Sequence, residues 1–409
     1  MTHLIKKAHV GGAQCLRLIT LVALFGLAIA TATAEENKAQ LDVTRLAGVD
    51  PAEIVNTDNT YRETPYDEEG RKHTFLLMNV GTQRFFNIGG SYGRHATLAH
   101  YGMLLWIYQN STTTGTYNIR TRLNMVAKTT TETGNPDNKD SYVQYIDNDG
   151  QKNGVYLEAN PTDETRAFGW TFEQAEGYSA TNKVYKIKTY GNRYLTATPN
   201  DADDNFCEAT TDDAKLDNPD YRVWKLITLE EYYQLFDASP SNLSAPIDAT
   251  FLLQSPSFSY NLSTMSYWNP IGSADDVRFG VEKCYRKPTE NYYKGGKEND
   301  KSYICDNGKY FAADIIKNSK KNGLDQMVNV HKPGWYIFRC NGFSNTNGQA
   351  KLFVSEAFNY YIMGEHTSKV VLNPLDANGP TDLLEAGKAF YAGKYENEVM
   401  IHVSQAELD

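Results

Sequence analysis

Val184-Tyr185-Lys186-Ile187-Lys188, Gly191-Asn192-Arg193-Tyr194-Leu195-Thr196-Ala197 and Trp224-Lys225-Leu226-Ile227 are three runs from one stretch of the chain. Apolar and polar residues alternate with a period of two, which places every second side chain on one face of a strand. Gly191-Asn192 supplies the tight turn that lets the first two runs close as a hairpin. The third run opens on a tryptophan. Strand, glycine turn, aromatic–aliphatic strand, tryptophan strand: this order decides the fold class.

The same order occurs twice more upstream. One unit runs Phe75-Leu76-Leu77-Met78-Asn79, Gly81-Thr82-Gln83-Arg84-Phe85-Phe86, then Trp106-Ile107-Tyr108. Another runs Tyr117-Asn118-Ile119-Arg120, Gly154-Val155-Tyr156-Leu157-Glu158-Ala159, then Trp170-Thr171-Phe172. The tryptophans lie 64 and 54 residues apart, and the polar stretches Lys128–Asp140 and Asp201–Asn218 read as loops inserted between strands. Trp106, Trp170 and Trp224 are expected in the core, as is Trp335 further on. Three such units over Lys72–Thr228 resemble the β-trefoil of ricin-type lectin domains. Sugar-binding members of that family place a Gln two residues before the tryptophan, where this chain has Leu104, Phe168 and Arg222. The resemblance therefore implies the scaffold without the ricin-type sugar pockets.

Beyond a seam, Phe236–Asp248 (FDASPSNLSAPID), patterning resumes with Thr250-Phe251-Leu252-Leu253, Phe258 and Tyr267-Trp268-Asn269. It continues through Gly334-Trp335-Tyr336-Ile337-Phe338, Ala350-Lys351-Leu352-Phe353-Val354 and Val399-Met400-Ile401-His402-Val403. Short strands between polar loops predict an antiparallel β-sandwich, with a short helix within Leu383–Tyr395. These runs, with Gly342-Phe343, resemble the galactose-binding-like jelly-roll domains of large secreted proteins of Bacteroidota-type bacteria. Such proteins also carry a trefoil-like unit with the pattern seen here as Asn79-Val80-Gly81-Thr82, Phe85, Gly89-Gly90-Ser91 and Gly93. The expected architecture is all-β: a lead-in at 35–71, a β-trefoil-like domain at 72–235, a linker at 236–248 and a galactose-binding-like sandwich at 249–409.

The first 34 residues read as an address. Lys6, Lys7 and Arg17 precede the apolar run Leu18–Ala30, and Ala32-Thr33-Ala34 offers a small-x-small exit, the order of a secretory signal peptide. The run is shorter than the roughly 20 apolar residues that span a bilayer. Cut after Ala34, the chain is expected outside the cell, at the cell surface or in the periplasm, with no transmembrane segment. Removal of three basic residues takes the charge from 40 − 50 = −10 to 37 − 50 = −13. No basic surplus exists to displace counterions from phosphates, so nucleic acid is excluded as a partner. A mean hydropathy of −0.54 excludes a polytopic membrane protein. The exported chain keeps Cys207, Cys284, Cys305 and Cys340, which allow three pairings, with Cys284–Cys305 the shortest loop, or remain buried thiols.

No H-E-x-x-H, phosphate loop, G-x-S-x-G or dinucleotide fingerprint is present, and nothing calls for a cofactor or a metal. Arg94 and His95, after Gly89-Gly90-Ser91-Tyr92-Gly93, could hold an anion or simply belong to a turn. Asp147-Asn148-Asp149-Gly150 reads as a hairpin turn, since Tyr156 stands where a calcium loop needs glutamate. Aromatic rings stack on the apolar faces of sugars, and Tyr260, Tyr267, Trp268, Tyr285, Tyr292 and Tyr293 crowd into loop-like sequence. They are the candidate ligand-binding platform; otherwise Trp268 caps the sandwich core and the tyrosines pack at its rim with their hydroxyls wet. The expected function is a non-catalytic protein binding carbohydrate or a glycosylated surface. A glycan hydrolase whose carboxylates are invisible in one dimension and an adhesin binding another envelope protein are the alternatives.

Overall fold

The computed structural model describes residues 18–23, 27–28, 41–56, 68–90, 95–109, 114–121, 141–148, 151–158, 166–167, 169–199, 206–243, 245–253, 256, 268–271, 277–281, 284–286, 312–315, 322–344, 350–359 and 362–408. Strands dominate it, as the period-two patterning predicts. Three short strands come first: β1 (Leu18–Ala23), β2 (Leu27–Ala28) and β3 (Val55–Asn56). Three sets follow, each built on four main strands. The first is β4 (Phe75–Asn79), β5 (Phe85–Gly90), β6 (His95–Ala99) and β7 (Trp106–Gln109). The second is β8 (Tyr117–Thr121), β9 (Ser141–Asn148), β10 (Gln151–Glu158), a short β11 (Arg166–Ala167) and β12 (Gly169–Gln174). The third is β13 (Val184–Thr189), β14 (Arg193–Thr198), β15 (Phe206–Thr211) and β16 (Val223–Thr228).

Outer strands of the sets pair in a closed circuit. β4 joins β7 through the Phe75–Leu105 bridge, β7 pairs β8, β8 pairs β12, β12 pairs β13, β13 pairs β16, and β16 returns to β4. The inner strands form the hairpins β5–β6, β9–β10 and β14–β15, which pair with one another at Tyr156–His95, Phe206–Thr97 and Gly154–Glu208. A six-stranded ring capped by three mutually paired hairpins leaves these strands no free edge.

The ring corrects the tryptophan alignment by one residue. Trp170 pairs across from Tyr117 and Trp224 from Tyr185, and both indoles donate to a carbonyl of their own set's first hairpin strand, Val143 at 2.7 Å and Leu195 at 2.8 Å. The residue facing Phe75 in the first set is Leu105, not Trp106. Because a one-residue step along a strand reverses the face, Trp106 points away from the ring core and into a separate cluster with Leu104, Tyr108, Ile227, Leu229 and Tyr233. It is fully buried, as expected, but its Nε1 has no hydrogen-bond partner.

The lead-in belongs to this unit. Lys225 Nζ donates to the carbonyls of Thr44 and Leu46 at 3.2 and 2.7 Å, and Val49 N donates to Leu226 O. Gly48 is required here: its φ is +76°, and a Cβ would stand 2.8 Å from Lys225 Cγ. After β16 comes a helix the strand patterning did not predict, Leu229–Ala238. Thr228 and Glu231 cap it reciprocally, side chain to backbone in both directions. Phe236, Asp237 and Ala238, read as linker, are its last turn. Thr250–Leu252, read as the opening strand of the second unit, is a 3-10 turn whose Phe251 ring packs against Tyr232 and Tyr233 of that helix.

The second unit holds β17 (Asn269–Ile271), β18 (Val277–Val281), β19 (Cys284–Arg286), β20 (Ala312–Ile315), β21 (Gly323–Asn329), β22 (Gly334–Ser344), β23 (Lys351–Asn359), β24 (Ile362–Val371), β25 (Asn373–Pro374) and β26 (Glu396–Val403). One sheet has the order β17-β21-β1-β23-β24; in another, β22 pairs β26 antiparallel, with β2 and β25 beside it. A three-stranded sheet, β19-β18-β20, completes the unit. Leu324, Val328, Leu352 and Val354 of the first sheet share a core with Cys340, Val399, Ile401 and Val403 of the second. Burial alternates strictly along β26, so its even and odd positions face solvent and core. The expected helix near Leu383–Tyr395 runs Leu383–Tyr391 and buries Leu383, Ala386 and Phe390. Among the described residues no helix is long and apolar enough to cross a membrane.

Candidate functional site

The helix Leu229–Ala238 ends against the second unit, and the contact is specific. Lys332 Nζ donates to the carbonyls of Phe236, Asp237 and Ser239 at 3.2, 3.0 and 3.2 Å. A helix C-terminus presents unsatisfied carbonyls and a partial negative charge, which an ammonium complements. His331 Nε2 lies 2.7 Å from Asp237 Oδ2, and its ring stands 4.7 Å from that of Tyr233. Tyr336 Oη donates back to Lys332 O at 2.6 Å, fixing the turn that carries the lysine to the start of β22. Sequence reasoning missed His331 and Lys332, because neither has a local partner that patterning could reveal.

This clamp holds the strap, residues 239–243 and 245–253, over one end of the second unit and borders a cleft of ≈ 1080 Å³ between them. Val328, Val330, Val354 and Ile401, whose side chains belong to the core, border it on the inner side, and Trp335 and Arg339 border it at its rim on β22. Trp335 is 54% exposed, against the expectation that it lies in the core. The reason is parity: on β22, Cys340 is buried in the core, which sets Trp335, Ile337 and Arg339 on the opposite face. Cross-strand partners on β26 complete that face. Trp335 meets the His402 ring edge-on at 5.1 Å, and Arg339 Nε lies 2.6 Å from Glu398 Oε2 and 4.0 Å from Glu396 Oε1. An exposed indole beside a fixed guanidinium–carboxylate pair offers both a stacking surface and directional hydrogen-bonding groups.

The predicted platform fares differently. Trp268 is wholly buried, its ring part of the shared core, so it has no face open to a ligand. Tyr285 lies on β19. Tyr260, Tyr267, Tyr292 and Tyr293 lie outside the described residues. Trp268 thus takes the core place that was the other reading of it, while Trp335, expected inside, is at the surface.

The proposed anion pair is also corrected. His95 sits where the three hairpins meet, stacked between Tyr156 at 4.7 Å and Phe206 at 4.3 Å. Burial pushes its pKa down to about 4, with the hydrogen bond at the Cys207 backbone opposing, so near neutrality it carries no charge to hold an anion. Its Nε2 is buried without a partner. Arg94 lies outside the described residues. At Arg222, where a ricin-type pocket would have its Gln, the guanidinium is buried and donates to the carbonyls of Thr211, Asp212 and Ala214, tying down a turn instead of meeting a sugar. Cys207 and Cys340 are free, buried thiols whose ionisation burial suppresses; Cys305 and the Cys284 side chain lie outside the described residues. A carboxyl stands out on β21: burial pushes Asp325 up to about 7, but it does not line the cleft.

No family model matches the chain, and no curated protein matches it. Among solved structures, the chain is similar to a salivary protein from Culex quinquefasciatus described as belonging to the Cysteins and Tryptophan-Rich (CWRC) family. The match has 15% sequence identity and covers 38% of this chain and 91% of that one, with a TM-score of 0.25. A score that low bears on neither fold nor function.

Proposed function

We propose that this chain is an exported, non-catalytic binding protein that recognises carbohydrate on the Trp335 side of the cleft. In this reading a leader cut after Ala34 directs it out of a bacterial cell, a β-trefoil forms the first unit, and a galactose-binding-like jelly roll forms the second. The closed six-strand ring with its three-hairpin cap supports the trefoil reading, and the apolar run Leu18–Ala30 behind a basic head supports export.

The observation that carries the binding site is the exposure of Trp335 beside the Arg339–Glu398 pair on the rim of a cleft. Sugar rings present C–H faces to an indole and hydroxyls to charged and amide groups. A rim site with one aromatic shelf suits an internal or terminal sugar held from one side.

Glycan-array binding of the exported protein, beside Trp335→Ala, tests it. Trp335 is not in the core, so the variant keeps its melting temperature. Loss of one stacking contact weakens binding about tenfold. No glycan binding by the unaltered protein, or full binding by the variant, overturns the assignment. Trp268→Ala is unsuitable for this purpose, since emptying a buried indole site costs about 3–5 kcal/mol of stability.

A further inference from the structure

The sheet β17-β21-β1-β23-β24 has an unusual centre. β1, Leu18–Ala23, is part of the apolar run that the export reading removes, yet it stands between two long strands and pairs antiparallel with both. Leu18 lies opposite Asn329 on one side and Ala357 on the other, and Ala23 lies opposite Leu324 and Leu352. β21 keeps another neighbour, β17, only at Gly323–Asp325. Removing β1 therefore strips Gln326–Asn329 of their pairing there and leaves the β1-facing edge of β23 unpaired. The inner walls at this place are Leu324 and Val328 on β21 and Leu352 and Val354 on β23, all buried core residues. Two strand spacings separate the walls, about 9.5 Å. That gap fits one strand.

We propose that the gap between β21 and β23 is a strand-accepting site: in the exported chain it takes an extended, uncharged apolar segment of about six residues from a partner protein, antiparallel to both walls. The proposal rests on the export reading above. The segment Leu-Ile-Thr-Leu-Val-Ala (18–23), seated there in the full chain, defines what fits: no charge, β-branched and aliphatic side chains, and a backbone free to bond on both edges. The residues that follow the cut, Glu35-Glu36-Asn37-Lys38-Ala39-Gln40, are charged and polar and do not match these walls, so the new N-terminus does not refill the gap, and the occupant proposed is a segment of another chain. Orphaned ladder groups and uncovered core side chains both favour capture of such a strand over a solvated gap.

The test begins with the full chain expressed in a secreting bacterial host and the exported product recovered. Mass spectrometry reads its N-terminus. A product beginning at Glu35 sustains the export reading; one that retains residues 18–23 overturns both readings, since the site is then filled in cis. With the processed protein, binding of a fluorescent synthetic peptide spanning Arg17–Leu24 is measured by anisotropy, beside the same peptide carrying Leu21→Pro. Saturable 1:1 binding is expected, weakened about tenfold or more by the proline, because in a central strand every N–H bonds to one wall or the other. Absence of saturable binding, or equal binding of the two peptides, overturns the strand site while leaving the export reading intact. Hydrogen exchange on the complex adds a position: amides of 326–329 and 352–357 gain protection when peptide is bound, and unchanged protection there overturns the assignment to this gap.

Discussion

His95 shows what a single buried ring contributes. In the unfolded chain it titrates near 6.5; in the folded hairpin cap, burial holds it near 4. A depressed folded pKa means that stability present above pH 6.5 is lost as pH falls through 4, because the unfolded chain takes up a proton that the folded one refuses. The loss amounts to about 3 kcal/mol across that window. Urea midpoints followed by tryptophan fluorescence at pH 7 and pH 4.5 measure it, and His95→Gln flattens the difference in the first unit. Asp325 works with the opposite sign. Its folded pKa is raised to about 7 by burial, so its contribution is fullest below the unfolded value near 3.8 and is lost as pH rises through 7. In the full chain, where Val22 stands opposite it on β1, Asp325→Asn raises stability at pH 8 and changes it little at pH 4. A variant no more stable than the parent at pH 8 contradicts this account.

Elements were legible in the sequence where period and punctuation agreed. β13, β14 and β16 follow the runs that opened the reading, and β26 follows Val399–Val403 with every second residue buried. The helix Leu229–Ala238 was missed although its signal was present: Thr228, with Glu231 three residues on, is a capping box at the end of a strand. Thr228→Ala removes the bond to Glu231 N and lowers the stability of the first unit by about 1 kcal/mol, readable as a fall in melting temperature. The repeat was legible as a repeat, but tryptophan was a poor ruler for its register. Trp106 fills a place outside the ring that exists only because the helix returns there, and no count along one strand reports a helix 120 residues later. Trp335 was misplaced for a related reason. Face is set by which side of a strand meets the other sheet, and the alternation around Trp335 reads equally well with either face inward.

At the scale of the molecule, the helix Leu229–Ala238 is tied to both units among the described residues. Arg71, paired with Glu230 at 3.0 Å and 4.7 Å from the centre of the Tyr233 ring, fixes the helix on the first unit, while His331 and Lys332 fix its end on the second. Lys332→Met keeps both cores and removes three hydrogen bonds from the helix end. The expected result is faster hydrogen exchange in 239–248 with unchanged exchange in β13 and β16; uniform exchange across both units would show that the lysine does not hold the strap. The cleft could not be found in the sequence, since its walls come from a linker, a turn and four strands that no pattern relates.

That lysine has a mechanical consequence. Three carbonyls depend on one ammonium, so the strap is fastened at its root by Lys332 and at its far end by the Phe251 ring. Nine residues, 240–248, follow the fastening point, enough chain to reach about 30 Å when drawn out. If the charge is masked, the back wall of the cleft can swing without either unit unfolding, and the width of the opening is then set by chain length instead of by packing.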